Sequence, residues 1–194
     1  MPDNLSCCEW PGNDPQMRDY HDTEWGVVIR DDRALFAKLE LDGFQAGLSW
    51  KSILHRRDHF LRVFHDFDPV RLAAWDESRI QAALLDPGII RNRAKVRAAV
   101  SNAQAYLDLA AAGTSFSEFL WGFVGGRTID HRFTSLSQLP TESAESQAMS
   151  KALKKAGFRF CGPTICYAFM QAVGMVNDHM VHCVRHGSVG GVRT

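Results

Sequence analysis

The segment VNDHMVHC, Val176 to Cys183, places His179 and Cys183 four residues apart. Both side-chain types bind zinc, which takes four nitrogen or sulfur ligands in a tetrahedron. On a helix, positions i and i+4 project from one face about 6 Å apart, close enough to share an ion. Two more ligands must come from elsewhere. The N-terminal stretches CCEW and YHDTEWG offer Cys8 and His21, thirteen residues apart, and a Cys2His2 set would tie the two chain ends together. Cys7, His182 and His186 are neighbouring substitutes, and the two halves fit no local finger spacing. The competing reading makes Cys183 a small buried residue and His21 and His179 satisfied polar groups. Cys161 and Cys166 lie on or beside an apolar run and read as core packing.

A second stretch, KKAGFRFCGPTICYAFMQAVG, reads as helix, tight glycine-containing turn and helix, followed by a short exit strand. Gly162 lets the backbone approach another surface, and the next helix N-terminus presents unpaired N–H groups suited to phosphate. Lys151, Lys154, Lys155 and Arg159 add positive charge beside it. With Thr164, the turn suits sequence-independent gripping of a DNA backbone. The alternative for these basic residues is a solvated helix face. Arg91, Arg93, Lys95 and Arg97 form another basic run, whose members must divide between phosphate and solvent.

The elements that position these groups follow from hydrophobic spacing. DDRALFAKLELDGFQAGL opens with acidic caps and carries Leu35, Phe36 and Leu39 at helical spacing, then a loop. SILHRRDHFLRVF repeats the pattern, and DPVRLAAW starts a short helix with Pro69 in its first turn. NRAKVRAAVSNAQAYLDLAAAG is the longest candidate, ending at Gly113. SFSEFLWGFV is a further short helix, and RTIDHRFTSLSQLPTES reads as a loop leading to a helix around AMSKALKKAG. GPTICYAFMQAVG is an apolar helix bounded by Pro163 and Gly174. Alternating strand patterns are scarce, so the fold class is all-α.

At 194 residues the chain can form one compact unit with a substantial core. Residues 30–175 form the expected helical core with a hairpin near 157–164. Residues 1–29 with 176–184 form a metal-stapled terminal lobe, and 185–194 a disordered tail. Lys and Arg total 22, as do Asp and Glu, so a polyanion partner requires basic residues gathered on one face. No apolar run reaches the ~18 residues of a membrane helix and the start lacks a signal-peptide pattern, so a cytoplasmic monomer is expected. Five cysteines in a reducing compartment favour metal or thiol roles over bridges.

The hairpin followed by VNDHM resembles the helix-hairpin-helix of DNA base-excision glycosylases, with Asn177 where most of that superfamily carries its catalytic aspartate. YHDTEWG, QAGLSW, FDPV, GIIRNRAKVRAAVSNAQAYL, SKALKKAGFRF and TICYAFMQA together resemble the 3-methyladenine DNA glycosylase I family over roughly residues 8 to 183. The resemblance implies a structural zinc ion held by Cys8, His21, His179 and Cys183. It also implies a fold shared with relatives that use an aspartate this family omits.

The chemistry explains the omission. Methylation at N3 gives adenine a positive charge, so its glycosidic bond breaks to release a neutral base, and acid catalysis worth ~100- to 10,000-fold becomes dispensable. The nucleotide must be flipped into a pocket. Tyr20, Trp25 and Trp50 are the expected aromatic walls, attracting a cationic base by ~0.5–2 kcal/mol. Asp42 stands where the family pattern has a glutamate that reads the adenine edge, and Gln45 is a second polar contact. Phe44 also replaces a polar residue, which predicts a drier pocket or rim. Gly47, Leu48 and Ser49 are expected at the gap left in the DNA. The implied activity is monofunctional hydrolysis of 3-methyladenine from alkylated double-stranded DNA, because the hairpin-exit segment has no lysine to form a Schiff base. The alternative is a zinc-stabilised module that binds damaged DNA without turnover.

Overall fold

The computed structural model describes residues 8–191. Ten α-helices carry the described residues: α1 (Pro15–Thr23), α2 (Asp32–Gln45), α3 (Trp50–Leu54), α4 (Arg57–Val63), α5 (Pro69–Ala73), α6 (Glu77–Leu85), α7 (Arg93–Ala111), α8 (Phe116–Trp121), α9 (Ala144–Lys155) and α10 (Pro163–Ala172). Their starts follow the capping signals in the sequence. Asp31, Asp68 and Asp76 each accept from a backbone N–H in the first turn of the helix they precede, satisfying donors that would otherwise be orphaned.

The helical core centres on α2, α7 and α10. α5 packs along α7, while α10 lies between α9 and α2. Phe36, Phe60, Phe64, Trp121 and Phe169 are among its fully buried side chains. Two smaller apolar clusters lie toward the chain ends: Met17, Tyr20, Trp25, Leu54 and Ala172 form one, and Cys8, Met180 and Cys183 the other. They join the core at a close backbone crossing. Gly26 N–H donates to Ala172 O and Ile29 N–H to Val173 O. A Cβ on Gly174, whose φ is +73°, would lie 2.6 Å from Gly26 O, so that position requires glycine.

The structure departs from the sequence reading in four places. SILHRRDHFLRVF is two helices, α3 and α4, broken at His55–Arg56. α1 and α6 form where no helix was drawn. The loop RTIDHRFTSLSQLPTES contributes β1 (Ile129–Asp130), which pairs in parallel with the exit strand β2 (Val176–Asn177). The expected disordered tail instead has a 3-10 helix over His186–Gly191, with Val189 buried and the His186 ring nitrogen 3.1 Å from Asp130. Residues 192–194 of that tail, and Cys7, lie outside the described residues.

Candidate active site and metal cluster

Helix α2 supplies the polar end of a cavity of about 270 Å³. Asp42 lines it together with Tyr20, Trp25, Gln45 and Trp50, so all five residues expected at the base pocket converge there. The Tyr20 and Trp50 rings lie 5.2 Å apart between centroids, and Trp10 stands edge-on to Trp25 at 4.9 Å. Asp42 is 1% exposed; its Oδ1 accepts from the Lys38 ammonium and its Oδ2 has no protein partner. The indole N–H groups of Trp10 and Trp50 are likewise buried without a protein acceptor. An aromatic chamber whose lining residues carry one unpartnered acceptor and two unpartnered donors suits a flat heterocycle that carries both hydrogen-bond types.

Burial pushes the Asp42 carboxyl up and the Lys38 amine down, and each partner resists the other's shift. Lys38 also lies 4.1 Å from the Trp50 ring centroid. The sequence reading missed Lys38, Trp10, Leu139, Ala168 and Gln171 as lining residues. Lys38 was legible: it sits one helical turn before Asp42, the spacing that brings opposite charges together. Trp10 lay inside the quoted CCEW motif. Leu139 and Ala168 carry no signal of their own.

Phe44 does not dry the cavity. It points the other way, 1% exposed, against Phe60, Phe64 and Phe67. Behind α2, burial raises the Glu40 carboxyl to about 8, only partly opposed by Asn102, whose amide donates to it at 2.8 Å. Asn102 also accepts from Arg159 N–H and donates to Arg159 O, which fixes the turn between α9 and α10 against α7.

The expected DNA-facing residues sit on two exposed turns. Gly47, Leu48 and Ser49 join α2 to α3; Leu48 is 43% exposed and Ser49 caps α3. Lys155, Arg159 and Thr164 are exposed around the second turn, and a Cβ on Gly162 would meet nothing within 4 Å. The helix α10 begins at Gly162 without a side-chain cap, leaving its first N–H groups open. The basic run on α7 divides otherwise than expected. Arg93 and Arg97 pair with Glu77, whereas Lys95 is buried and donates to Phe44 O at 2.8 Å and Ala46 O at 2.6 Å. It closes the C-terminal end of α2 and holds the turn carrying Leu48.

Cys8, His21, His179 and Cys183 come together with their ligand atoms all within 4.8 Å of one another. Cys8 Sγ to His179 Nδ1 is 3.8 Å, Cys183 Sγ to His179 Nδ1 is 3.6 Å and Cys183 Sγ to His21 Nε2 is 3.7 Å. Ordinary metal–sulfur and metal–nitrogen bonds at a tetrahedral angle give an edge of about 3.6 Å, so the set fits an ion. The outward nitrogens are oriented as metal ligands require: His21 Nδ1 donates to Asp22 at 2.7 Å and His179 Nε2 to Trp25 O at 3.1 Å. Contact with Cys8, and then with His179 and His21, holds the Cys183 thiol far below its usual range. The four-residue spacing works through a turn, not the expected helix, with Cys183 N–H on Met180 O. Of the substitutes, His182 is exposed and His186 faces Asp130.

Asn177 is structural. Its Oδ1 accepts from His179 N–H and its Nδ2 donates to His186 O. The neighbouring carboxylate is fully engaged: Asp178 accepts from Tyr167 O–H at 2.7 Å, Gln171 at 2.8 Å and His131 at 2.6 Å. Neither side chain of this segment leaves a carboxylate oxygen open to a substrate.

A helical fold with an aromatic cavity beside the α2–α3 turn suits a flat base, and similarity to known proteins gives the class, that of base-removing DNA glycosylases. The chain belongs to the methyladenine glycosylase family, whose model matches residues 10–186. It is 48% identical over 176 residues to DNA-3-methyladenine glycosylase 1 of Escherichia coli strain K12, covering 91% of this chain and 94% of that protein. A crystal structure of 3-methyladenine DNA glycosylase I superposes with a TM-score of 0.91 at 47% identity, over 92% and 98% of the two chains. A structure from Staphylococcus aureus, described as the basis of 3-methyladenine recognition, gives 0.89 at 36% identity, over 91% and 94%.

Proposed function

We propose that this chain is a monofunctional DNA glycosylase, which hydrolyses the N-glycosidic bond of 3-methyladenine in alkylated duplex DNA and leaves an abasic site for base excision repair. The observation that carries this reading is Asp42 Oδ2, a buried acceptor without a protein partner at the end of an aromatic cavity. The exocyclic amine of a flipped adenine is the donor it suits, and the S. aureus relative is described as recognising that base.

DNA would be held by Lys155, Arg159, Gly162 and Thr164 at its phosphates, in the manner of a helix-hairpin-helix, with Gly47, Leu48 and Ser49 at the gap. The lesion is flipped at a cost of a few kcal/mol, smaller for a damaged base. Tyr20, Trp25, Trp50 and Trp10 enclose it, and Asp42 and Gln45 read its edge. The C1′–N9 bond then breaks with its electron pair passing to the base, which neutralises the N3-methyl cation. Water adds to C1′ and gives its proton to solvent. The leaving group carries its own activation, so the engagement of Asn177 and Asp178 elsewhere costs nothing.

Cys8, His21, His179 and Cys183 would hold Zn2+. Four protein ligands close the ion, so it supplies structure and no substrate position. The reading also makes the enzyme a cytoplasmic monomer. Lys38 lines the cavity too, but its amine is engaged by Asp42. Alkylated duplex DNA incubated with the protein should therefore yield free 3-methyladenine and intact strands. Nicking would overturn the monofunctional reading, and binding to abasic DNA without base release would favour a non-enzymatic module.

A further inference from the structure

Glu40 is a buried carboxyl that the reaction does not use. It is 3% exposed, and the Asn102 amide donates to its Oε1 at 2.8 Å. The same amide holds the turn between α9 and α10 by both backbone groups of Arg159: Oδ1 accepts from Arg159 N–H at 2.8 Å and Nδ2 donates to Arg159 O at 3.1 Å. One residue on, Phe160 has φ +55°, and a Cβ added to Gly43 would lie 3.6 Å from its Cβ and its carbonyl oxygen. The turn with the phosphate-facing residues thus rests on α2 at Gly43 and is tied to α2 through Glu40.

Glu40, Gly43 and Phe44 line one narrow gap, at the spacing of a single helix face, while Asp42 lines the base cavity on another. The helix then runs into the Leu48 turn, which Lys95 fastens through Phe44 O and Ala46 O. One helix therefore carries the base-facing carboxyl, leads into one DNA-facing turn and supports the other. Their spacing depends on the join between Glu40, Asn102 and Arg159. A misplacement of about 1 Å away from the reacting bond can cost ~100-fold in rate.

We propose, on the glycosylase reading above, that Glu40 and Asn102 are positioning residues that fasten the phosphate-facing turn to α2, holding the grip on the DNA backbone in register with extrusion of the base. Neither side chain lines the base cavity.

The join depends on protonation. Burial raises the Glu40 carboxyl to about 8, with Asn102 opposing the shift. The gap beside it measures about 10 Å³, at the limit of what one water needs, so a carboxylate there is solvated by parting α2 from the turn. The neighbouring groups do not neutralise it. Lys95 of α7 lines the gap with its ammonium spent on the α2 carbonyls, and Arg159 meets Asn102 through its backbone. Cys161 beyond the turn is a thiol, pushed up to about 11 by burial, and Lys154 of α9 acts on that thiol. Lys38 and Asp42 pair with each other in the base cavity.

The test measures single-turnover release of 3-methyladenine at subsaturating protein, where the pH profile reports the free enzyme. Binding to a duplex holding a tetrahydrofuran abasic analogue is followed by anisotropy. Wild-type release should fall about tenfold between pH 7 and pH 9, as the protonated fraction of Glu40 drops from about nine-tenths to about one-tenth. Glu40→Gln keeps an acceptor for Asn102 and cannot ionise. It should match wild-type protein at pH 7 and release base about five- to tenfold faster at pH 9, groups common to both proteins cancelling in the ratio. Glu40→Met has no acceptor, and should release base about tenfold or more slowly at pH 7 with DNA binding kept within about threefold. Parallel profiles of wild-type and Glu40→Gln protein, undiminished release by folded Glu40→Met, or a loss of DNA binding as large as its loss of release each overturn the proposal. Where Glu40→Met does not fold, the ratio of the other two profiles decides. Absence of base release by wild-type protein at every pH overturns the glycosylase reading instead.

Discussion

Replacing Asp42 by Asn tests the base-reading carboxylate with little change of shape. The amide oxygen can stay on the Lys38 ammonium, which places the amide N–H group where Oδ2 faces the cavity. A donor then meets the amine of the flipped adenine, itself a donor. The lost hydrogen bond to a charged acceptor is worth about 1.5–3 kcal/mol, so kcat/KM should fall about 10- to 150-fold. Lys38 loses its counter-charge in a buried site but can shed a proton, so the fold should survive. Single-turnover release of 3-methyladenine measures the effect, with melting temperature and metal content as controls. Asp42→Glu keeps an acceptor and extends it by one methylene into a cavity of about 270 Å³, so it should retain most activity. Normal release by a folded Asp42→Asn protein would remove Asp42 from the base edge and refute the reasoning.

Three other perturbations follow from the geometry. Cys183→Ala leaves three buried ligands unsatisfied at about 1–3 kcal/mol each; a loss of about 3 kcal/mol should lower Tm by roughly 6–12 °C with loss of bound zinc, measured by calorimetry and metal analysis. Glu40 has a folded-state pKa of about 8 against an ordinary 4.5. Its favourable contribution is complete below the lower value and is lost as pH rises to the upper one, a change of up to about 5 kcal/mol. Glu40→Gln keeps the bond from Asn102, so Tm should fall less between pH 5 and pH 8.5 than in wild-type protein. Lys95→Met removes two donations to the end of α2 and should cost about 1.5–3 kcal/mol, with faster amide exchange at Gly47 and Leu48.

The helices α2, α7 and α10 were legible from their apolar spacing and from the end signals Asp31 before α2, Gly113 after α7 and Pro163 in α10. α3 and α4 were read as one because His55 and Arg56 carry no breaking signal; the chain turns there to bring Phe60 and Phe64 onto Phe44. α1 was missed because only Met17, Tyr20 and His21 of it are buried, a stripe too sparse to register. Residue type left Lys95 undivided between phosphate and solvent, and its burial depends on where α7 crosses the end of α2. The aromatic walls were named through the family resemblance. Lys38 was not, although its place one helical turn before Asp42 made the pair legible.

The Cys8, His21, His179 and Cys183 cluster and the cavity share a wall, which makes removal of the proposed ion a test of both. Trp10, Tyr20 and Trp25 come from the N-terminal segment, and Trp25 is fixed by His179: its carbonyl accepts from His179 Nε2 and the two rings lie 4.6 Å apart. Gly26, with φ +82°, would place a Cβ 3.0 Å from the same imidazole, so the chain can pass that close only without a side chain. The helical core of α2, α7 and α10 carries its own large buried cluster and needs none of these contacts. Chelation should therefore dismantle the aromatic walls before the helices. The expected order is loss of 3-methyladenine binding and of near-ultraviolet dichroism at chelator concentrations that leave far-ultraviolet helicity largely intact. Simultaneous loss of both signals would mean that the ion holds the entire fold, and unchanged base binding in metal-free protein would separate the cluster from the cavity.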